Sequence, residues 1–229
     1  MSRKAGIMLI GIFLSSLGVS LSLKSKLGAT PIGANPAVFS PYLKISTGMG
    51  MAILLGLFFL TQIIILRKEF SPFQFMQLVA GVLYGGSVDL TRNMLSIFPD
   101  EALWQQMIYC ALGIVVLAFG IFTMLKANFI MLPQDAVVNV ISKKYHKEYG
   151  KIKITLDIIL TVIAAIGSWI LHKELLHLGI GTIAAAVFVG IIISRLKEFR
   201  GLNKLLDRAI GKREKDNQYA SFESDIFAA

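Results

Sequence analysis

The chain has 229 residues, of which 55% are hydrophobic and only 16% charged, with a mean hydropathy of +0.69. Ordinary soluble domains are about a quarter charged, so this chain carries more apolar surface than one water-facing core of its size can hide. The net charge of +9 does not point to nucleic acid, because lysines and arginines flank apolar runs and fill the tail rather than interleaving with aromatics.

In chain order, the N-terminal Ser2-Arg3-Lys4 precedes an apolar run that reaches about Leu23 without a small-x-small cleavage site, and it reads as a retained first transmembrane helix. A span needs ~20 apolar residues at ~1.5 Å rise each. Six runs meet that length, at 6–23, 47–66, 72–98, 102–125, 152–171 and 175–195. The third opens on Ser71-Pro72, a polar residue followed by proline at the first helical position, and closes at Pro99-Asp100-Glu101.

Placing the N-terminus in the cytoplasm puts Arg3, Lys4, Arg67, Lys68, Lys143, Lys144, Lys147, Lys151, Lys153 and the basic tail from Arg195 inside. The acidic turn Asp100-Glu101 and Lys173 then lie outside. Lys24, Lys26 and Lys44 fall outside against the trend, and they are outnumbered. Both termini are therefore expected in the cytoplasm. Residues 197–215 place Leu202, Leu205, Leu206, Ala209 and Ile210 at helical spacing among basic residues, as an amphipathic helix on an anionic leaflet does.

The two halves match each other. At a shift of 102, Gly11, Ile12, Gly18, Leu23, Lys24, Pro31, Ala34, Val38 and Gly48 meet identical residues, Gly113, Ile114, Gly120, Leu125, Lys126, Pro133, Ala136, Val140 and Gly150. After an insertion of three residues the match resumes at a shift of 105. Leu66, Lys68, Glu69, Ala80, Val82 and Gly85 then meet Leu171, Lys173, Glu174, Ala185, Val187 and Gly190. Three helices per copy force the second copy into the membrane upside down. Inverted repeats of this kind recur in secondary transporters, although duplication also builds membrane proteins that move nothing. The expected fold is an all-α membrane protein, with one repeat over 1–98, the second over 99–196, and a tail over 197–229.

The links after the first and fourth spans, 24–36 and 126–136, are too apolar for free loops. Pro31 and Pro133 each suit the start of a short helix, re-entrant or interfacial, with Thr30 and Gln134 beside them. A half-helix N-terminus seats a polar or anionic ligand; alternatively, the two short helices only seal the bundle.

Charges inside spans cost at least ~2.5–3.5 kcal/mol at the bilayer centre, so each needs a reason. Asp157 lies four residues after Lys153 and can pair with it, and Asp89 lies three before Arg92. Thr30, Pro31, Asp89, Pro133, Gln134, Asp135 and Asp157 form the expected substrate or proton site, with a structural ion pair as the competing role for Asp89 and Asp157. Gly81-x-x-x-Gly85 and Ala186-x-x-x-Gly190 have the spacing of close helix packing.

Cys110 stands alone, and His146, His172 and His177 share no metal-ligand spacing, so neither metal nor cofactor is expected. No nucleotide-binding loop, Gly-x-Ser-x-Gly or His-Glu-x-x-His segment points to an enzyme.

The segment Leu27-Gly28-Ala29-Thr30-Pro31-Ile32 resembles that of bacterial YczE-like membrane proteins (YczE, YyaS and YitT). So does Lys126 to Asp135 followed by Lys143-Lys144 and Tyr149-Gly150-Lys151, with Asp157 beyond. Pro133-Gln134 stands where YitT-like chains carry a glycine pair. The resemblance implies six spans in a bacterial plasma membrane and names no substrate. The leading functional expectation is a small-solute transporter or permeation protein with its site between inverted repeats. The alternative is a scaffold or regulator working through the basic tail. Expected partners are the lipid bilayer and a small polar or ionic solute, with room for an oligomer and no nucleic acid.

Overall fold

The computed structural model describes residues 2–67, 70–99 and 102–210. Lys68, the acidic pair Asp100 and Glu101, and residues 211–229 lie outside the described residues. Among those described, the regular elements are all helical: α1 (Ser2–Lys24), α2 (Pro31–Leu43), α3 (Thr47–Leu66), α4 (Met76–Leu95), α5 (Leu103–Ala127), α6 (Pro133–Tyr145), α7 (Tyr149–His172), α8 (Ile180–Glu198) and α9 (Arg200–Ile210).

Four helices are long and apolar enough to cross a membrane, over Arg3–Lys24, Thr47–Leu66, Leu103–Ala127 and Gly150–His172. The pair Ile180–Leu196 and Gly201–Ile210, bent by 76°, would add a fifth. Large apolar side chains point outward along these helices, among them Leu57, Leu60 and Ile64 of α3 and Ile158, Val162, Ile166 and Trp169 of α7. Water penalises so continuous an apolar exterior and lipid accepts it. The molecule is a helical membrane protein.

Local chemistry sets the starts of the helices. Thr30 Oγ1 accepts the Gly33 N–H at 3.2 Å, and Pro31 follows as the first helical residue of α2. Ser46 Oγ likewise accepts the Met49 N–H at 3.0 Å to open α3. Pro133 opens α6. The third apolar run begins differently from its sequence pattern. Pro72–Phe75 forms a 3-10 turn, Ser71 makes no side-chain cap, and the α-helix starts only at Met76. There Phe75 joins Phe59 and Phe70 in a triangle of rings with centroids 5.5–5.6 Å apart, and that packing sets the entry angle of α4. The sixth run also starts late. Residues 173–179 form a connection with positive φ at Lys173 and His177, and α8 begins at Ile180.

α1 is the central helix, with 67% of its span buried. Its longest partner is α5, and the two run antiparallel. A Cβ added at Gly11 would meet the backbone of Met124 and Gly120, one at Gly18 that of Leu117, one at Gly113 that of Ser22 and Gly18, and one at Gly120 that of Ser15. Side chains at these four positions would hold the backbones apart, so glycine permits the approach. Around this axis α4 packs on α1 and α8 on α5; α2 packs on α7 and α3 on α6; α2 packs on α3 and α6 on α7. α3 also packs along α4, whereas α7 and α8 make no comparable contact.

The end of the bundle where α1 begins also holds the end of α3, the end of α5, where Lys126 Nζ lies 3.7 Å from Asp207 of α9, and the end of α6, where Lys144 Nζ donates to the Ile65 carbonyl. We call this end proximal. At the distal end the Leu27–Ala29 segment docks on the start of α8: the Ala29 N–H donates to the His177 carbonyl at 2.7 Å and the Gly181 N–H to the Leu27 carbonyl at 2.9 Å. Gly28 there has φ +134, and a Cβ would collide with Thr182, so the position requires glycine on both counts.

Candidate functional site

α6 and α7 bring three of the charged side chains together. Lys153 Nζ lies 3.1 Å from Asp157 Oδ1 and 3.9 Å from Asp135 Oδ1. The first pair follows from the four-residue spacing on α7, and the second from the packing of α6 against that helix. Asp135 sits in the first turn of α6, where the helix dipole favours a carboxylate. Two carboxylates therefore share one ammonium, which leaves one negative charge when all three are ionised. The side chains remain about a quarter exposed, at 24% for Asp135, 30% for Lys153 and 27% for Asp157. The phenol of buried Tyr84, on α4, lies within electrostatic reach of Asp135. Such an arrangement can exchange the lysine ammonium for another cation.

The other expected site residues hold different positions. Gln134 is buried beside Asp135. The Pro133 carbonyl accepts from Gln62 Nε2 at 3.2 Å, and the same amide donates to Gln77 Oε1 at 2.8 Å. Gln62 Oε1 is left buried with no partner. The Pro31 carbonyl is pinned in the same manner, by Asn35 Nδ2 at 3.2 Å, which also donates to the Leu160 carbonyl of α7 at 2.9 Å. Thr30 and Pro31 thus serve as cap and first residue of α2.

Asp89 does not pair with Arg92 as the spacing suggested. Its carboxylate turns to the start of α3 and accepts from the Ser46 hydroxyl and, at 2.7 Å, from the Gly48 N–H. Arg92 donates to the Thr47 hydroxyl instead. The three-residue spacing allowed the pair, but two N-terminal donors of α3 satisfy the carboxylate better. Asp89 is a clasp between α3 and α4 at the distal end, separate from the triad.

The two small-residue motifs also differ. Gly85 touches the Gly48 backbone, whereas a Cβ added at Gly190 would meet nothing within 4 Å. The expectation of close packing therefore holds for the first motif and not for the second.

Sequence reasoning paired Lys153 with Asp157 but left it out of the site, and it missed Tyr84, Gln62 and Asn35. The lysine spacing was visible in the chain. The contribution of Asp135, and the reach of Tyr84 toward it, depend on how α4, α6 and α7 pack. Among the described residues, no group of three or more His, Cys, Asp or Glu is arranged to hold a metal ion.

Comparison with curated proteins and with solved structures found no match. A family model does match residues 2–198, which covers all the long helices described above. The chain belongs to the family of unknown function DUF6198.

Proposed function

We propose that this protein is a small-solute membrane transporter of six spans, built as two inverted three-helix repeats, with Asp135, Lys153 and Asp157 as its polar site. The observation that carries the reading is the exchange of contacts under the repeat. Replacing each residue by its equivalent turns the Gly11–Gly120 contact into Gly113–Gly18 and the Gly18–Leu117 contact into Gly120–Ser15. It likewise exchanges the α1–α4 packing with α5–α8, and α2–α7 with α6–α3. Antiparallel α1 and α5 related in this way imply a two-fold axis across the helices, the relation found in transporters that alternate access around a midplane site. In this reading α4 and α8 complete the six spans, with Thr91 and Thr182 buried and Asp89 turned toward α3. The short helices α2 and α6 are re-entrant pieces wedged between the halves.

The proximal end collects Arg3, Lys4, Arg67, Lys143, Lys144, Lys147 and Lys151, which supports a cytoplasmic assignment for that end and for both termini. We also propose that the resemblance to YczE-like proteins reflects kinship, with a bacterial plasma membrane as the location. The reading needs neither enzymatic chemistry nor a cofactor. The test is solute flux in proteoliposomes, using a panel of cations, anions and small metabolites, with Asp135→Asn and Asp157→Asn beside the wild type. Flux in the wild type that falls at least ~tenfold in both variants is the expected result. The absence of flux and binding across the panel would overturn it.

A second reading rests on α9. Its Asp207 pairs with Lys126, Ile210 is buried against the bundle, and Leu205 and Arg208 face outward. A regulator acting through this helix would lose its cellular effect when residues 200–229 are removed, while solute flux stayed unchanged.

A further inference from the structure

The inference concerns the two seams that the repeat makes equivalent, and it rests on the inverted-repeat reading. In the first copy, α3 and α4 close on each other where Gly48 meets Gly85: a Cβ on either would overlap the other's carbonyl oxygen. In the second copy, the equivalent residues are Gly150 in the first turn of α7 and Gly190 on α8. Each faces open space, with no heavy atom within 4 Å of an added Cβ. One seam is shut and its mirror image is open. Because the copies are inverted, the shut seam begins at the distal end and the open one at the proximal end. Gly150, Lys153 and Asp157 are spaced three and four apart, so the open face of α7 is the face that carries the ion triad.

The residues that clasp the shut seam have counterparts with complementary chemistry. Ser46, ahead of α3, donates its hydroxyl to Asp89 on α4. In the registers that match the glycines, Ser46 corresponds to Glu148 and Asp89 to Ser194. The donor and the acceptor have traded helices, and a hydroxyl–carboxylate pair is still encoded. Thr47 and Arg92 correspond in sequence to Tyr149 and Lys197, again a hydroxyl and a cation. In the present arrangement the second pair is apart: Glu148 binds Lys151 at 2.9 Å, and the Ser194 hydroxyl donates to the Gly190 carbonyl in its own helix at 3.0 Å. A carboxylate and a hydroxyl parked on local partners at equivalent positions are what an unmade clasp looks like.

We propose that the structure is one of two exchangeable states, open toward the proximal end. In the other state α8 closes on α7 at Gly150 and Gly190, Ser194 donates to Glu148, and α3 parts from α4 at Gly48 and Gly85. The occupant of the open α8 face is therefore α7 of the same chain, as α3 occupies the equivalent face of α4. Closure covers the Asp135–Lys153–Asp157 triad from the proximal side, and the parting of α3 from α4 opens a path to it from the distal side. The two seams seal in alternation because one clasp is made as the other breaks.

The test is disulfide trapping in proteoliposomes, in a Cys110→Ala background. Glu148→Cys with Ser194→Cys reads the unmade clasp, and Ser46→Cys with Asp89→Cys reads the made one. Under a mild oxidant the Ser46/Asp89 pair is expected to cross-link at once. The Glu148/Ser194 pair is expected to accumulate an intramolecular disulfide more slowly, as the minor state is visited. Adding Gly190→Leu, whose side chain fits the open seam but not a closed one, is expected to lower that second cross-link about tenfold while leaving the first intact. The proposal falls if the Glu148/Ser194 thiols stay free while the first pair cross-links, or if their disulfide forms only between two chains, which would make the α8 face a dimer surface. No solute is involved in this readout. Cross-linking without flux in any solute would sink the transport reading alone, and flux without cross-linking would sink the exchange alone.

Discussion

The α3–α4 seam and the α7–α8 seam occupy matching stretches of the two halves of the sequence and stand in opposite conditions. In the first, two glycines bring backbones into contact, Leu55 and Met51 are fully buried beneath them, and Asp89 ties the end of α4 to the start of α3. In the second, the matching glycines are present and the layer beneath them is polar. In the register of Gly48 and Gly150, Met51 and Leu55 correspond to Lys153 and Asp157. An apolar layer rewards closure by leaving water or lipid, whereas an ion pair closed into the same seam loses solvation. Equal geometry with unequal chemistry yields one seam that stays shut and one that stands open.

The sharpest way to break this comparison is steric. Gly85→Leu is expected to cost more than ~3 kcal/mol, because its side chain would overlap the Gly48 backbone with no room to relax, and the protein should lose its cooperative thermal transition in detergent. Gly190→Ala, at the equivalent position, is expected to be neutral or to stabilise by up to ~1 kcal/mol through helix propensity alone. Equal losses in the two variants would mean that both seams are closed in solution.

The α1–α5 axis should treat its copies alike where the seams do not. Gly18→Val and Gly120→Val each press a branched side chain into the opposing backbone, and each is expected to lower stability by about 2–3 kcal/mol, within error of each other. A difference greater than ~1 kcal/mol would argue against a two-fold axis between these helices.

The triad offers a chemical test of the open seam. Lys153→Met removes the cation shared by two carboxylates, whereas Asp157→Asn leaves Lys153 with Asp135. The lysine change should therefore be the more destabilising, at about 1–2 kcal/mol, a figure held below that of a fully buried pair by the partial exposure of all three side chains. Thermal shift of the two single variants ranks them, and an Asp157→Asn loss larger than that of Lys153→Met would remove Asp135 from the cluster.

The smallest effect lies at the distal end. Burial, and then electrostatic repulsion from Arg92 and the neighbouring His172, hold the His177 imidazole below its usual range. A histidine whose folded pKa is depressed is more readily protonated in the unfolded chain. Stability is therefore full above the unfolded value, near ~6.5, and falls as acid is added below it. The melting temperature should drop by a few degrees between pH 7.5 and pH 5.5, and His177→Gln should flatten part of that slope. An unchanged slope in the variant would place the acid sensitivity elsewhere.

Much of the architecture was legible before any coordinate. Apolar runs located the long helices to within a few residues, because a span must satisfy its own backbone and hide nothing from lipid. Thr30-Pro31 and Pro133 marked the starts of α2 and α6 through capping chemistry that acts within one turn. Where the reading of the chain slipped, a distant segment had intervened. Aromatic packing of Phe59 and Phe70 on Phe75 delayed the start of α4, and docking of Leu27–Ala29 on the start of α8 left residues 175–179 out of the sixth helix. Asp89 faced Arg92 in sequence but found the Ser46 hydroxyl and the Gly48 N–H across the seam.

By itself, the sequence determined that this chain lives in a membrane, that residues at fixed shifts match between its halves, and that Lys153 and Asp157 share a helix face. All three follow from composition, internal matching and helical spacing, which need no partner segment. Tertiary structure alone decided that Asp135 joins that pair, that Asp89 does not, and that matched glycines close one seam and leave the other open. Those outcomes turn on which helix lies opposite, and spacing within one helix carries no record of its neighbour.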